Sequence, residues 1–252
     1  MSGSFPGLLT GRVALVTGGT RGLGAAIART FAAAGASGTV LDLETGPCPH
    51  GWISLAADVT VEDDVERAVA AAETRFGRLD VVVANAGVVP PWSSTLDFDL
   101  DALDRTLAVN VRGVAATLKH GSRALARDGG TVVVTASMNA HRAAPTQSAY
   151  TASKHAVLGL VRTAALDLGH HGIRVNAVGP GPVLTDAFRD RLARREAEGG
   201  LSAEEALRQA AAGTALGRLV TEDDVARAVL FLACDLSSGV SGALIPVDAG
   251  LR

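Results

Sequence analysis

Val13-Ala14-Leu15-Val16-Thr17-Gly18-Gly19-Thr20-Arg21-Gly22-Leu23-Gly24 is the stretch whose reading decides the fold. Four apolar residues run without a polar interruption and end in a cluster of glycines. A run that is apolar at every position is buried on both faces, as a strand is inside a parallel sheet covered by helices. Ala25 to Ala34 then reads as a helix, with Ile27 and Phe31 four apart on one face and Gly35 as its stop. The alternation recurs along the chain. Thr39–Leu43, Ile53–Val59, Asp80–Ala84, Thr131–Ala136, Ile173–Val178 and Ala243–Val247 are further strand candidates, with Ala-rich helical stretches between them. Repeated strand–helix units predict an α/β fold: one doubly wound, seven-stranded parallel sheet with helices on both faces and right-handed crossovers. Ligands of such sheets bind beyond the carboxyl ends of the strands.

Composition narrows the function. The 252 residues are 48% hydrophobic and 19% charged, enough apolar material for one large core and too little charge for a disordered chain. A single domain over 1–252 is expected. Lys plus Arg is 23 against 26 Asp plus Glu, a net charge of −3, so no basic excess exists to neutralise a nucleic-acid backbone. Cys48 and Cys234 are too few and too far apart for a disulfide framework or a zinc cluster. Met1–Thr10 lacks a leader-like pattern and no apolar run reaches membrane-spanning length, so a cytoplasmic protein without a membrane partner is expected. Thr60/Asp63, Ser202/Glu205 and Thr221/Asp224 each place a hydroxyl three residues before a carboxylate, a helix-capping pattern rather than a catalytic one. Thr185–Gly213 is rich in Arg and Glu and broken by Gly199-Gly200; residues 185–213 are expected to form a lid over the substrate.

Gly18, Gly22 and Gly24 let a backbone turn sharply and approach a pyrophosphate at a helix N-terminus. Asp42 closes the second strand candidate, twenty residues after Gly22, where a carboxylate binds the adenosine ribose and repels a 2′-phosphate. That favours NAD over NADP. Arg21 points the other way if it pairs with a 2′-phosphate; the alternative is a solvated loop arginine, or one bonded to Asp42.

Tyr150 is the only tyrosine, and Lys154 follows four residues later, on the same helical face. An ammonium near a phenol stabilises the phenolate; at ~4 Å and an effective dielectric near 20 the effect is about 3 pKa units. Alone, this spacing is common on surface helices. It is accompanied by Asn85-Ala86-Gly87 and Ser137 at two strand ends, by Asn110, and by Pro180-Gly181-Pro182-Val183-Leu184-Thr185 after another strand.

In this order and spacing the set resembles the short-chain dehydrogenase/reductase family over essentially the whole chain, a Rossmann fold. The resemblance implies a secondary-alcohol dehydrogenase or ketone reductase. Tyr150 would be the general acid/base, Lys154 would lower its pKa and bind the nicotinamide ribose, Ser137 would bind the substrate oxygen, and Asn110 would hold a relay water. Gly18, Thr20, Arg21, Gly22, Leu23, Gly24, Asp42, Leu43, Asp58, Val59, Asn85, Ala86, Gly87, Pro180, Gly181, Val183 and Thr185 would line the dinucleotide. It also implies a homotetramer. Ala84 and Ala249 depart from the family's usual residues, which touches the C-terminal packing and leaves the catalytic set intact.

Met138, Asn139, His141 and Gln147, between Ser137 and Tyr150, are expected to edge the substrate pocket with Trp92 and Phe188. His141 reads equally well as a solvated loop residue, and Trp92 beside Pro90-Pro91 as a packed turn. His170-His171 is not read as a metal site, because adjacent side chains point apart, and no metal is expected. Two alternatives stay open: an NADPH-dependent 3-oxoacyl-thioester reductase, and a scaffold or sensor that binds NAD without turnover.

Overall fold

The pattern of uninterrupted apolar residues becomes a sheet covered on both sides. In β1 (Val13–Thr17) every residue is buried. The computed structural model describes residues 7–251; most of the leader reading, on Met1–Thr10, falls outside them. After β1 come α1 (Gly22–Ala33), β2 (Ser37–Asp42), β3 (Ile53–Ala56), α2 (Glu62–Phe76) and β4 (Val81–Ala84). Next are α3 (Leu100–Leu107), a π-helical turn (Ala108–Gly113), α4 (Val114–Leu125), β5 (Gly130–Thr135), α5 (Ser148–Leu168) and β6 (Ile173–Pro180). The chain ends with α6 (Asp186–Ala197), α7 (Ala203–Ala212), α8 (Glu222–Ala233) and β7 (Leu244–Val247).

The seven strands lie in the order β3-β2-β1-β4-β5-β6-β7, all parallel. Side chains alternate between the faces. Ala14, Val16, Val81, Val83 and Val133 point to one, where Ile27 and Phe31 of α1 and Val225 and Val229 of α8 cover them. Val13, Leu15, Val82, Val132 and Val134 point to the other, against Val69 of α2, Leu118 and Leu125 of α4, and Val157 and Val161 of α5. Because both faces are dry, the middles of the central strands are apolar at successive positions, and polar residues such as Thr17 and Thr135 fall at the strand ends.

Three local readings are corrected. The third strand stops at Ala56, short of Val59: its neighbour β2 ends with Asp42 paired to Ala56, and Asp58 then bends the chain by accepting from Thr60 N and Oγ1, both at 2.8 Å. Thr60 gives its hydroxyl proton to Asp58 and accepts from no amide of α2, whose N-cap is Val61. The first helix starts at Gly22 rather than Ala25, inside the glycine cluster. Ser202 caps α7 and Thr221 with Asp224 forms a reciprocal capping box on α8, as their spacing predicts.

Candidate active site

The strand order reverses between β1 and β4, and the crevice at their carboxyl ends holds the glycine loop. Gly18 and Gly22 take φ of +62° and +52°, a region that side chains disfavour. A Cβ on Gly24 would sit 1.9 Å from Gly18 O, so the loop folds this tightly only without one. Asn85 ties the loop to the sheet. Its Nδ2 donates to Thr17 O (3.0 Å) and Gly18 O (3.2 Å), its Oδ1 accepts from Thr135 Oγ1 (3.1 Å), and the N–H groups of Asn85 and Ala86 donate to Thr17 Oγ1. Asn85 therefore acts on the loop's shape. No side chain caps the first turn of α1 and no acid lies in it, so its amides and its positive end face the crevice. This is the donor set an anionic pyrophosphate requires, and the cradle fits a dinucleotide.

Asp42 stands at the end of β2 beside that loop. Its Oδ2 accepts from Thr20 Oγ1 (2.6 Å) and Thr20 N (3.2 Å), and its Oδ1 from Leu43 N (3.0 Å). The reading in which Arg21 bonds Asp42 is not what forms: Thr20 occupies the carboxylate and Arg21 is exposed. Asp58 is bonded to Thr60, and Val59 is buried against Val65 and Ala116. Gly181 N donates to Val247 O, and Val183 bridges to Val220. Thr185 is spent in part on structure, its Oγ1 capping α6 through Phe188 N at 3.1 Å.

The second cluster lies at the ends of β4 and β5 and along α5. Ser137 follows β5; its Oγ accepts from Asn139 N at 3.1 Å, and its hydroxyl stands near enough to that of Tyr150 to draw the phenol's pKa down. Lys154, only 4% exposed, donates from Nζ to Thr135 O at 2.9 Å and lies 5.5 Å from the Tyr150 ring centroid. Asn110 is wholly buried in the π-helical turn. Its Nδ2 donates to Val88 O (2.9 Å) and Ser153 Oγ (3.1 Å), and its Oδ1 accepts from Val88 N (2.8 Å). A Cβ on Gly87 would lie 3.2 Å from Asn110 Oδ1 and 3.8 Å from Lys154 Nζ, so Gly87 lets these groups converge. The four residues expected to act together do meet.

Their electrostatics differ from the simple expectation. Burial pulls Lys154 down to about 8. The largest influence on Tyr150 is also burial, which pushes the phenol up; the Ser137 hydrogen bond and the positive charge of Arg191 pull it down. Lys154 does not by itself bring the phenol toward 7, because its Nζ is turned to the Thr135 carbonyl and its own charge is weakened.

Of the expected pocket residues, Met138 is buried, and Asn139 donates to Gln147 Oε1 at 3.1 Å. Trp92 lies under two guanidinium groups of α6, Arg191 at 4.3 Å and Arg195 at 5.2 Å from the ring centroid. Phe188 precedes Arg191 by one helical turn. His141 is exposed, which is the solvated-loop alternative. His170 and His171 follow α5, at the opposite end of the strands from the site. Sequence reading missed Arg191, and also Ser153, Thr17 and Thr135, which hold Asn110, Asn85 and Lys154. The spacing Phe188/Arg191/Arg195 on one helical face was the available signal for the arginine.

Residues 18–252 match a family model described as enoyl-(acyl carrier protein) reductase. Short-chain dehydrogenase reductase 4 of Arabidopsis thaliana is 40% identical over 96% of this chain and 83% of its own length. (+)-Borneol dehydrogenase 2 of Salvia officinalis is 40% identical over 98% of this chain and 91% of its own. Among solved structures, carveol dehydrogenase from Mycobacterium avium in complex with NAD superposes with a TM-score of 0.89 at 30% identity, covering 97% of this chain and 98% of that one. With the glycine cradle, the convergent Ser137, Tyr150 and Lys154, and this similarity along nearly the full length, the chain belongs to the short-chain dehydrogenase/reductase family of oxidoreductases.

Proposed function

We propose that the chain interconverts a secondary alcohol and a ketone, using NAD(H) in preference to NADP(H), with Tyr150 as general acid/base. The observation that carries the reading is the convergence at the ends of β4 and β5: Ser137 beside the Tyr150 hydroxyl, with Lys154 Nζ 5.5 Å from the ring centroid. When bound, the dinucleotide supplies the capacity to accept or give a hydride at its nicotinamide ring. Ser137 donates to the substrate oxygen and fixes its position. Tyr150 takes the alcohol proton in oxidation and returns it to the carbonyl oxygen in reduction. Lys154, brought down to about 8 by burial, would bind the nicotinamide ribose and join the proton relay to solvent. Asn110 keeps one Oδ1 lone pair after its bonds to Val88 and Ser153, and that acceptor holds the relay water.

Asp42 supports NAD, since its carboxylate accepts from ribose hydroxyls and repels a 2′-phosphate. A relative bound to NAD supports it as well. The exposed Arg21 at the start of α1 favours the second reading, an NADPH-dependent 3-oxoacyl-thioester reductase. We further propose that residues 185–213 act as a lid and that four copies associate, one interface running along α4 and α5, where Leu166 is exposed; light scattering reads the mass. The cytoplasm is the proposed compartment, on the two free cysteines. No helix among the described residues is long and apolar enough to cross a membrane.

The test follows absorbance at 340 nm with NAD, and in parallel NADP, over cyclic, sugar-derived, steroid and 3-hydroxyacyl alcohols. Turnover with NAD is expected, and Tyr150→Phe should lower kcat/KM by about 10²–10⁴-fold. Turnover with NADP alone moves the thioester reductase to first place. No turnover with either leaves the NAD-binding scaffold.

A further inference from the structure

We infer that Arg191 anchors an anionic group of the substrate, so that the alcohol or ketone this site takes carries a carboxylate. The inference rests on the oxidoreductase reading for the reacting end of that molecule and names the chemistry of its other end.

Three observations place the guanidinium in the pocket. Helix α6 is held by the Thr185 cap and by the buried Leu192, which comes next after Arg191. The guanidinium stacks on Trp92, and the chain just after Trp92 is tied to the start of α5: Ser93 bridges to Gln147, and Ser93 N donates to Thr146 O at 3.0 Å. Gln147 is three residues before Tyr150. Arg191 is thus fixed at the rim of the crevice, near enough for its charge to act on the Tyr150 hydroxyl.

The fourth observation points to a ligand. Arg191 Nε is buried and has no hydrogen-bond partner, and among the described residues no carboxylate lies within ion-pair distance of this side chain. Arg174, similarly half-buried, shows the contrast: its two terminal nitrogens donate to Ser237, Val240, Leu232 and Cys234. A buried donor of a cation left unmatched is costly, and such groups in folded proteins have a reason to be there. The indole lies against the π face of the guanidinium, and neither terminal nitrogen of Arg191 donates to a described residue. Those two nitrogens, rather than the occluded Nε, are the fork that grips a carboxylate through two parallel bonds. Arg195, the other cation on Trp92, is exposed, so one such fork accounts for one carboxylate.

The probes are 3-hydroxybutyrate and the 3- and 4-hydroxycyclohexanecarboxylates, each paired with its primary amide, which keeps the shape and removes the charge. In the wild type the best acid should exceed its amide in kcat/KM by about ten- to a hundredfold, mainly through KM. Arg191→Gln should bring that ratio to within about twofold of one, and Arg191→Lys, which keeps the charge and loses the fork, should leave an intermediate ratio. Binding is read without turnover by titrating cyclohexanecarboxylate and cyclohexanecarboxamide into the NADH complex in a calorimeter, with the same preference expected and the same loss. Alcohol turnover with an acid-to-amide ratio of one, in kinetics and in binding, overturns the anion site and leaves the oxidoreductase reading standing. An Arg191-dependent preference in binding without turnover of any alcohol does the reverse. Should Arg191→Gln fail to fold, an Arg191→Lys ratio equal to the wild type's overturns the assignment.

Discussion

Two of the chain's passages over the carboxyl end of the sheet are built differently. Between β1 and α1 the crossing is short, and its backbone is bound by Asn85 and Thr17 to the neighbouring strand. Between β6 and β7 it wanders through α6 and α7, two helices with Leu192 as their one fully buried side chain, fastened by the Thr185 cap and the Val183–Val220 bridge. The first lines the crevice with backbone and leaves no room for a Cβ at Gly24. The second presents side chains, Phe188 and Arg191 among them, on a scaffold with little core beneath it. A loop bonded through its backbone to the sheet is fixed geometry, whereas exchangeable side chains on a loosely packed helix can change without disturbing the sheet.

Gly24→Ala is the change that should test this difference most severely. The added methyl meets Gly18 O and Asn85 Nδ2, both backbone-held. We expect a loss of about 1–3 kcal/mol in stability and an at least hundredfold loss of NAD affinity, measured by urea unfolding and by calorimetric titration. Near-normal NAD affinity would show that the loop yields, and the contrast between the crossings would fall.

Lys154 tests the fixed region electrostatically. Burial lowers its pKa from 10.5 to about 8, so the folded state binds fewer protons than the unfolded state between those values. Stability attributable to this group therefore rises with pH from about 8 to 10.5, by up to about 3 kcal/mol. Unfolding of the wild type and of Lys154→Met, compared from pH 7 to 10.5, should show the rise in the wild type alone; parallel curves would mean that the ammonium is solvated.

The smallest effect sharpens the other side of the comparison. Thr185→Ala removes the cap of α6 and should cost about 1 kcal/mol, confined to α6 and α7. Global unfolding would move little, while limited proteolysis near Gly199-Gly200 would speed up several-fold. A matching drop in the main unfolding transition would instead make α6 and α7 part of the cooperative core.

Much of the fold was legible because burial on both faces leaves no room for polar residues, so Val81–Ala84 and Val132–Val134 read directly as central strands. The limits of the elements were harder. Where β3 ends depends on the length of β2 beside it, and whether Thr60 caps a helix depends on what Asp58 takes from it first. The proposed catalytic set was chosen through spacing and family resemblance. Its supports were not: Ser153, Thr17 and Thr135 are ordinary small polar residues whose partners lie 43, 68 and 50 positions away.

By itself the sequence determined the alternation of strand and helix, the glycine turn at the head of α1, the carboxylate at the end of β2, and the pairing of Tyr150 with Lys154 on one helical face. These are local matters, set by hydrophobic period, by the absence of a Cβ and by the 3.6-residue helix turn. Tertiary structure alone decided that Lys154 would be buried against the Thr135 carbonyl, that Thr20 rather than Arg21 would take the Asp42 carboxylate, and that Arg191 would lie stacked on Trp92 beside Tyr150 with an unmatched donor. Desolvation and partner choice depend on which distant segments pack together, and no window of the chain contains that information.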